Sequence, residues 1–89
     1  MIQIKSIAVV PEGDGQARVE AKLFNSSAEP APAMLLMLNF HDTEGRIRDR
    51  ISIRLNPFEA GGSQTARQAF RLKNNGFFSY STRLEKPAV

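Results

Sequence analysis

From Gln16 to Leu23 the chain alternates without a break. Ala17, Val19, Ala21 and Leu23 are apolar, and the charged residues Arg18, Glu20 and Lys22 sit between them. A period of two puts one set on one face of an extended strand and the other set on the opposite face. A helix would scatter both sets around its circumference. No other stretch restricts the fold as tightly. It predicts a strand with one dry face, and a dry face requires a second layer to cover it.

Other segments follow the same grammar. Residues 2–10, "IQIKSIAVV", are β-branched, but their apolar parity switches: Ile2 and Ile4 share one face, Ile7 and Val9 the other. One extra residue near Lys5 and Ser6, as a bulge or a crossing between sheets, accounts for the switch. "PEGDG" (11–15) reads as a turn. "SSAEPAP" (26–32) reads as a loop, because its prolines remove ladder donors. In "AMLLMLNFH" (33–41), Met34, Leu36, Leu38 and Phe40 share one face. The other face begins apolar at Leu35 and Met37 and ends polar at Asn39 and His41. A strand dry on both faces for half its length belongs in the middle of a sheet.

"DTEG" (42–45) has the Asp and Gly positions of a type I turn. With all four residues as the loop, His41 is expected opposite Arg46, Phe40 opposite Ile47, Leu38 opposite Asp49, Leu36 opposite Ile51 and Met34 opposite Ile53. On the other face, Arg48 is expected opposite Asn39, Arg50 opposite Met37 and Ser52 opposite Leu35. A slip by one residue would turn one strand's apolar set outward. "NPFEAGGS" (56–63) is a loop with room for a helical turn at 57–60. Residues 64–73 suit a short helix capped by Ser63 or a strand. A strand is favoured, because "NNG" (74–76) as a hairpin loop aligns Leu72 with Phe78, Phe70 with Tyr80 and Ala66 with Leu84.

These segments amount to six or seven short antiparallel strands in one domain over residues 1–89, with 85–89 as a tail. At 89 residues folding buries roughly 60–65% of the unfolded surface, enough for a single core. The expected fold is a small immunoglobulin-like antiparallel β-sandwich, with a small barrel as the alternative. The chain has neither the cysteine pair nor the tryptophan of antibody domains.

The absence of cysteine excludes disulfides, thiolate catalysis and zinc–thiolate sites. It does not fix a compartment. No leader-like segment opens the chain and no apolar run approaches the roughly 20 residues of a bilayer span. Localisation is open, and extracytoplasmic if a leader was removed. A net charge of +3 permits a polyanionic partner without demanding one.

The most conspicuous candidate is "GRIRDRISIRL" (45–55), where Arg46, Arg48, Arg50 and Arg54 alternate with Ile47, Ile51, Ile53 and Leu55. In the expected register these arginines share a face with Leu35 and Met37. Their stems can lie over such apolar groups while their heads stay wet. Asp42, Glu44 and Asp49 offset three of the four charges, and no aromatics interleave as single-strand stacking requires. The first reading is an ordinary solvated sheet face. A protein-docking face comes next, then a polyanion grip.

His41, Asp42 and Glu44 begin a metal-ligand pattern. The chain has one histidine, however, and the turn already explains Asp42. No glycine elbow surrounds a serine. "EAGGS" (59–63) has no phosphate-loop lysine. No catalytic, metal or cofactor site is expected, and the chain reads as a non-enzyme. "NSS" (25–27) fits a glycosylation acceptor pattern. Phe58 and Phe77 are candidates for an exposed apolar patch, or for a plug at one end of a sandwich.

Taken in order, "ARVEAKLFNSS", "MLLMLNFHDTEG", "IRLNPFEAGGS" and "AFRL" resemble the bacterial and archaeal FxLYD-type domains and similar immunoglobulin-like modules. Phe40, Asp42, Gly45, Leu55, Pro57 and Phe70 carry the likeness over residues 17–72, and His41 stands where the family has Tyr. The resemblance implies a small non-catalytic sandwich, commonly extracytoplasmic, and transfers no catalytic or ligand-binding residue. The expected function is that of a protein-interaction or assembly module. It would act through the face carrying Leu35, Met37 and the arginines, or self-associate through that face or a sheet edge. The alternative is polyanion binding, to nucleic acid or an anionic surface, by the arginines of residues 46–54.

Overall fold

The computed structural model describes residues 1–71, 77 and 79–86. Its strands are β1 (Ile2–Gly13), β2 (Gln16–Asn25), β3 (Leu35–His41), β4 (Ile47–Arg54), β5 (Ser63–Arg71) and β6 (Ser79–Glu85). They form two three-stranded antiparallel sheets, ordered β1-β2-β5 and β4-β3-β6. The architecture is a small all-β sandwich. Glu85, expected in a tail, ends the last strand.

The core lies where the two cleanest patterns meet. Ala17, Val19, Ala21 and Leu23 of β2 and Leu36, Leu38 and Phe40 of β3 are at most 1% exposed. β2 and β3 are the middle strands, so each has neighbours on both sides as well as a sheet above it.

The parity switch in β1 is a bulge. Pairing with β2 runs from Ile2↔Asn25 to Ile4↔Leu23, passes over Lys5 and resumes at Ser6↔Lys22. Ile2, Ile4, Ile7 and Val9 therefore all pack against the core. The expected turn at 11–15 is shorter than the sequence indicates. Pairing continues to Gly13↔Gln16, and Asp14 and Gly15 alone reverse the chain at φ 53° and 75°. Two positive φ values are those of a type I′ turn, whose twist matches the strands and which Asp-Gly suits.

The β3–β4 register differs from expectation by two residues. Phe40 lies opposite Asp49, Leu38 opposite Ile51 and Leu36 opposite Ile53. The loop is tighter than four residues, because the Asp42 N–H pairs with the Arg46 carbonyl at 3.0 Å. Gly45 makes this possible at φ 81°. Arg48 is then an extra residue between His41↔Ile47 and Phe40↔Asp49. Each change moves the register by one, and together they restore parity. Ile47 is consequently 47% exposed rather than packed against Phe40, and Asp49 is 8% exposed in its place.

Residues 63–71 form a strand, as favoured, but the expected β5–β6 hairpin does not form. β5 pairs with β2, Phe70 lying opposite Ala17 and Ala66 opposite Ala21. β6 pairs with β3, Tyr80 lying opposite Phe40 and Leu84 opposite Leu36. The crossing gives each middle strand its second neighbour, which a hairpin on one sheet could not do. The expected "NNG" loop, with Leu72 and Phe78, lies outside the described residues.

No helical turn forms at 57–60. Phe58 is extended and exchanges backbone hydrogen bonds of 2.9 Å with Ala31 in both directions. It is 3% exposed, so it plugs the core. Phe77 joins the opposite plug. Phe40 stacks on Phe70 at 5.2 Å and meets Phe77 at 4.8 Å and Tyr80 at 6.3 Å between centroids.

Candidate functional site

With Leu36, Leu38 and Phe40 turned inward, Leu35, Met37, Asn39 and His41 form the central column of the outward face of β4-β3-β6. Pairing sets out its rows. Leu35 lies between Arg54 and Glu85, and Met37 between Ser52 and Arg83. Asn39 lies between Arg50 and Ser81, and His41 between Ile47 and Ser79. Leu35 and Met37 are half-buried on this face.

The structure divides the four expected arginines. Arg50 and Arg54 flank the column, Arg50 lying opposite Asn39 rather than the expected Met37, and Arg50 Nε donates to Asn39 Oδ1 at 2.8 Å. Arg46 and Arg48 belong to the hairpin end. Arg46 pairs with Glu44 at 2.9 Å, and Arg48 Nε with Asp42 Oδ2 at 2.9 Å. Asp42 Oδ1 also accepts the N–H groups of Glu44 and Arg46 at 2.9 and 3.0 Å. The Arg46 N–H holds the Asp42 carboxyl below its ordinary range, against some burial and with help from Arg48 and the Glu44 N–H.

Sequence reasoning missed Arg83 and Glu85, which pair with each other on the same face. Placing β6 beside β5 hid them, and only knowledge of strand order reveals them.

The His41 ring is tied down. Its Nδ1 faces the Gly45 carbonyl at 3.3 Å and its Nε2 lies 2.9 Å from Ser81 Oγ. A carbonyl only accepts, so Nδ1 carries the proton, and in the neutral ring Nε2 accepts from the serine. Asp42 and Glu44 are turned to arginines rather than to His41. Among the described residues, no three His, Asp or Glu side chains converge as metal ligands would.

No protein-family model, curated protein or solved structure matches the chain.

Two further motifs have structural places. Asn25, of the acceptor pattern, is 0% exposed. Its Nδ2 donates to the carbonyls of Glu29 and Glu59 at 2.9 and 3.1 Å, and its Oδ1 accepts the Ser27 N–H at 3.0 Å. In the folded chain this amide is out of a transferase's reach. The glycine pair makes a turn, with the Gly62 N–H on the Glu59 carbonyl at 2.9 Å and the Gly62 carbonyl on the Asn25 N–H. No helix among the described residues is long and apolar enough to cross a membrane.

Proposed function

We propose that the chain is a non-catalytic, immunoglobulin-like module that works by contact with another protein, using the outward face of β4-β3-β6. One observation carries the reading: Leu35 and Met37 stand mid-sheet on an outward face, with Arg50, Arg54 and Arg83 around them. The centres of protein interfaces are enriched in Met and Arg, and arginine stems cover apolar groups until a partner does.

Strand order supports the immunoglobulin-like part. In that fold strands A, B and E share one sheet, and C′, C and F neighbour one another in the other. The orders β1-β2-β5 and β4-β3-β6 follow the same sequence of strands. The FxLYD resemblance rests on the sequence, and its residues serve the fold. Phe40 and Leu55 are core, Phe70 packs on Phe40, and Asp42 and Gly45 shape the hairpin. Polyanion binding is the weaker reading, because Glu44 and Asp42 already engage Arg46 and Arg48.

The test is affinity capture from the source organism with the wild type and a Leu35→Ser/Met37→Ser variant whose circular dichroism is unchanged. The expected result is a partner retained by the first and lost by the second. Equal retention would end the assignment of this face. On heparin, Arg46→Ala/Arg48→Ala/Arg50→Ala should elute close to the wild type. Elution of that variant at much lower salt would favour the polyanion reading instead.

A further inference from the structure

The sandwich is closed along one side and open along the other. β4 and β5 approach each other, whereas among the described residues β1 and β6 do not. Exposure follows this asymmetry. Inward residues of β2 are at most 1% exposed, but Ile2, Ile4, Ile7 and Val9 of β1 are only half-buried. On β6, Tyr80 and Leu84 are half-buried. Thr82 is exposed, although it faces the same way as its fully buried partner Leu38. Among the described residues β6 has β3 as its one neighbour, and a strand laid on its other side would cover this seam.

The edges also differ. β1 is broken by a bulge at Lys5 and carries Pro11 next to a second shift. β4 is bulged at Arg48 and dense in charge. The start of β5 is occupied: Gln64 donates to the Asn56 carbonyl at 2.9 Å and accepts its N–H at 3.1 Å. Bulges, prolines, charges and loop cover are the devices that stop an edge from pairing with another chain. β6 lacks a bulge, a proline and a glycine. It pairs with β3 over all seven residues without a shift.

We propose that β6 is a self-association edge, on which the β6 of a second copy pairs antiparallel about a two-fold axis at Thr82. Its sequence fits itself in that register. Tyr80 falls opposite Leu84 on the inner side, twice. On the outer side Arg83 falls opposite Ser81 and Glu85 opposite Ser79, so no like charges stand directly opposite each other. A shift that put Arg83 on the axis would set it against itself, and a shift to Ser81 would separate Tyr80 from Leu84. The symmetric pairing makes one continuous six-stranded sheet. It brings each copy's Tyr80 and Leu84 over the other's open seam, as an isologous interface requires. The inference rests on the reading of the chain as a contact module but uses a different surface.

The test is the mass of the full chain by sedimentation equilibrium, from micromolar to millimolar concentration. The expected result is a rise from 9.9 kDa toward twice that value. Thr82→Lys sets two ammonium groups against each other on the axis at a site exposed in the protomer. It should remain monomeric with an unchanged circular dichroism spectrum. Thr82→Cys, in a chain with no other cysteine, should give a covalent dimer with diamide as oxidant, whereas Thr65→Cys on the other sheet should not. A mass that stays at the monomer value throughout overturns the proposal. So does a dimer that survives Thr82→Lys, or one lost in Leu35→Ser/Met37→Ser instead. That last result would move the association to the outward face and leave the contact reading standing.

Discussion

Asn25 Nδ2 donates to the Glu59 carbonyl at 3.1 Å, joining two loops 34 positions apart at one end of the sandwich. The same amide holds Glu29 and Ser27, and the side chain is fully buried. Replacing it removes three hydrogen bonds at a fully buried side chain and leaves the partners of the two loops without it. Asn25→Ala should lower stability by about 1–3 kcal/mol. In urea denaturation the midpoint should fall with little change in slope. A loss below about 0.5 kcal/mol, the size of an ordinary surface substitution, would show that the loops hold themselves.

The bulge at Arg48 separates two isoleucines that look equivalent in the sequence. Ile47 is 47% exposed and Ile53 is 5% exposed. Ile53→Ala should cost about 2–4 kcal/mol, as buried aliphatic truncations do. Ile47→Ser should fall within about 0.5 kcal/mol of the wild type. Equal losses at both sites would restore the unbulged register, with Ile47 against Phe40.

Phe40 holds rings from both sheets, Phe70 from one and Tyr80 from the other. Phe40→Ala should cost about 3–5 kcal/mol, a large share of what a small domain has. Phe40→Leu should cost distinctly less. Both should reduce the near-ultraviolet circular dichroism of Tyr80, the only tyrosine, in samples that remain folded.

Asp42 and Glu20 couple stability to acid. The Arg46 N–H lowers the Asp42 carboxyl, and the Arg67 hydrogen bond lowers Glu20. A carboxyl depressed in the folded state binds fewer protons there than when unfolded. Its contribution is therefore complete above the ordinary carboxylate range and is lost as pH falls through that range to the folded value. Melting temperature should decline over that acidic interval. Asp42→Asn should melt below the wild type at neutral pH, and the gap should close in acid. A gap that stays constant with pH would mean that the turn, not the charge, sets the difference.

Faces were legible in the sequence, and neighbours were less so. The inward set of β2, the break in β1 near Lys5 and the central place of β3 follow from apolar parity and composition, whereas the strand over 63–71 is present although the hairpin that favours it in the sequence does not form. Parity is blind to a shift of two, so it passed over a tightened Asp42 turn and a bulged Arg48 whose effects add to that amount. It is equally blind to which sheet an apolar face belongs to. Phe70 and Tyr80 are indeed close, as their expected pairing implies, but they meet through Phe40 across the core rather than along a ladder. The candidate face was half legible for the same reason. Leu35, Met37, Arg50 and Arg54 were found from β3 and β4, whereas Arg83 and Glu85 wait on a strand order that no local pattern encodes.

The strand order has a consequence for synthesis. One sheet takes strands one, two and five, and the other takes three, four and six. A chain leaving the ribosome can close the hairpins β1-β2 and β3-β4 early, but an isolated two-stranded hairpin is marginal in water. The first sheet lacks its third strand until Arg71 has emerged, and the second until Glu85 has. Until then β2 and β3 each present an unpaired side to solvent or to a chaperone. A nascent fragment that stops short of β6 leaves β3 without its second neighbour, so the second sheet is completed only when Ser79–Glu85 is available.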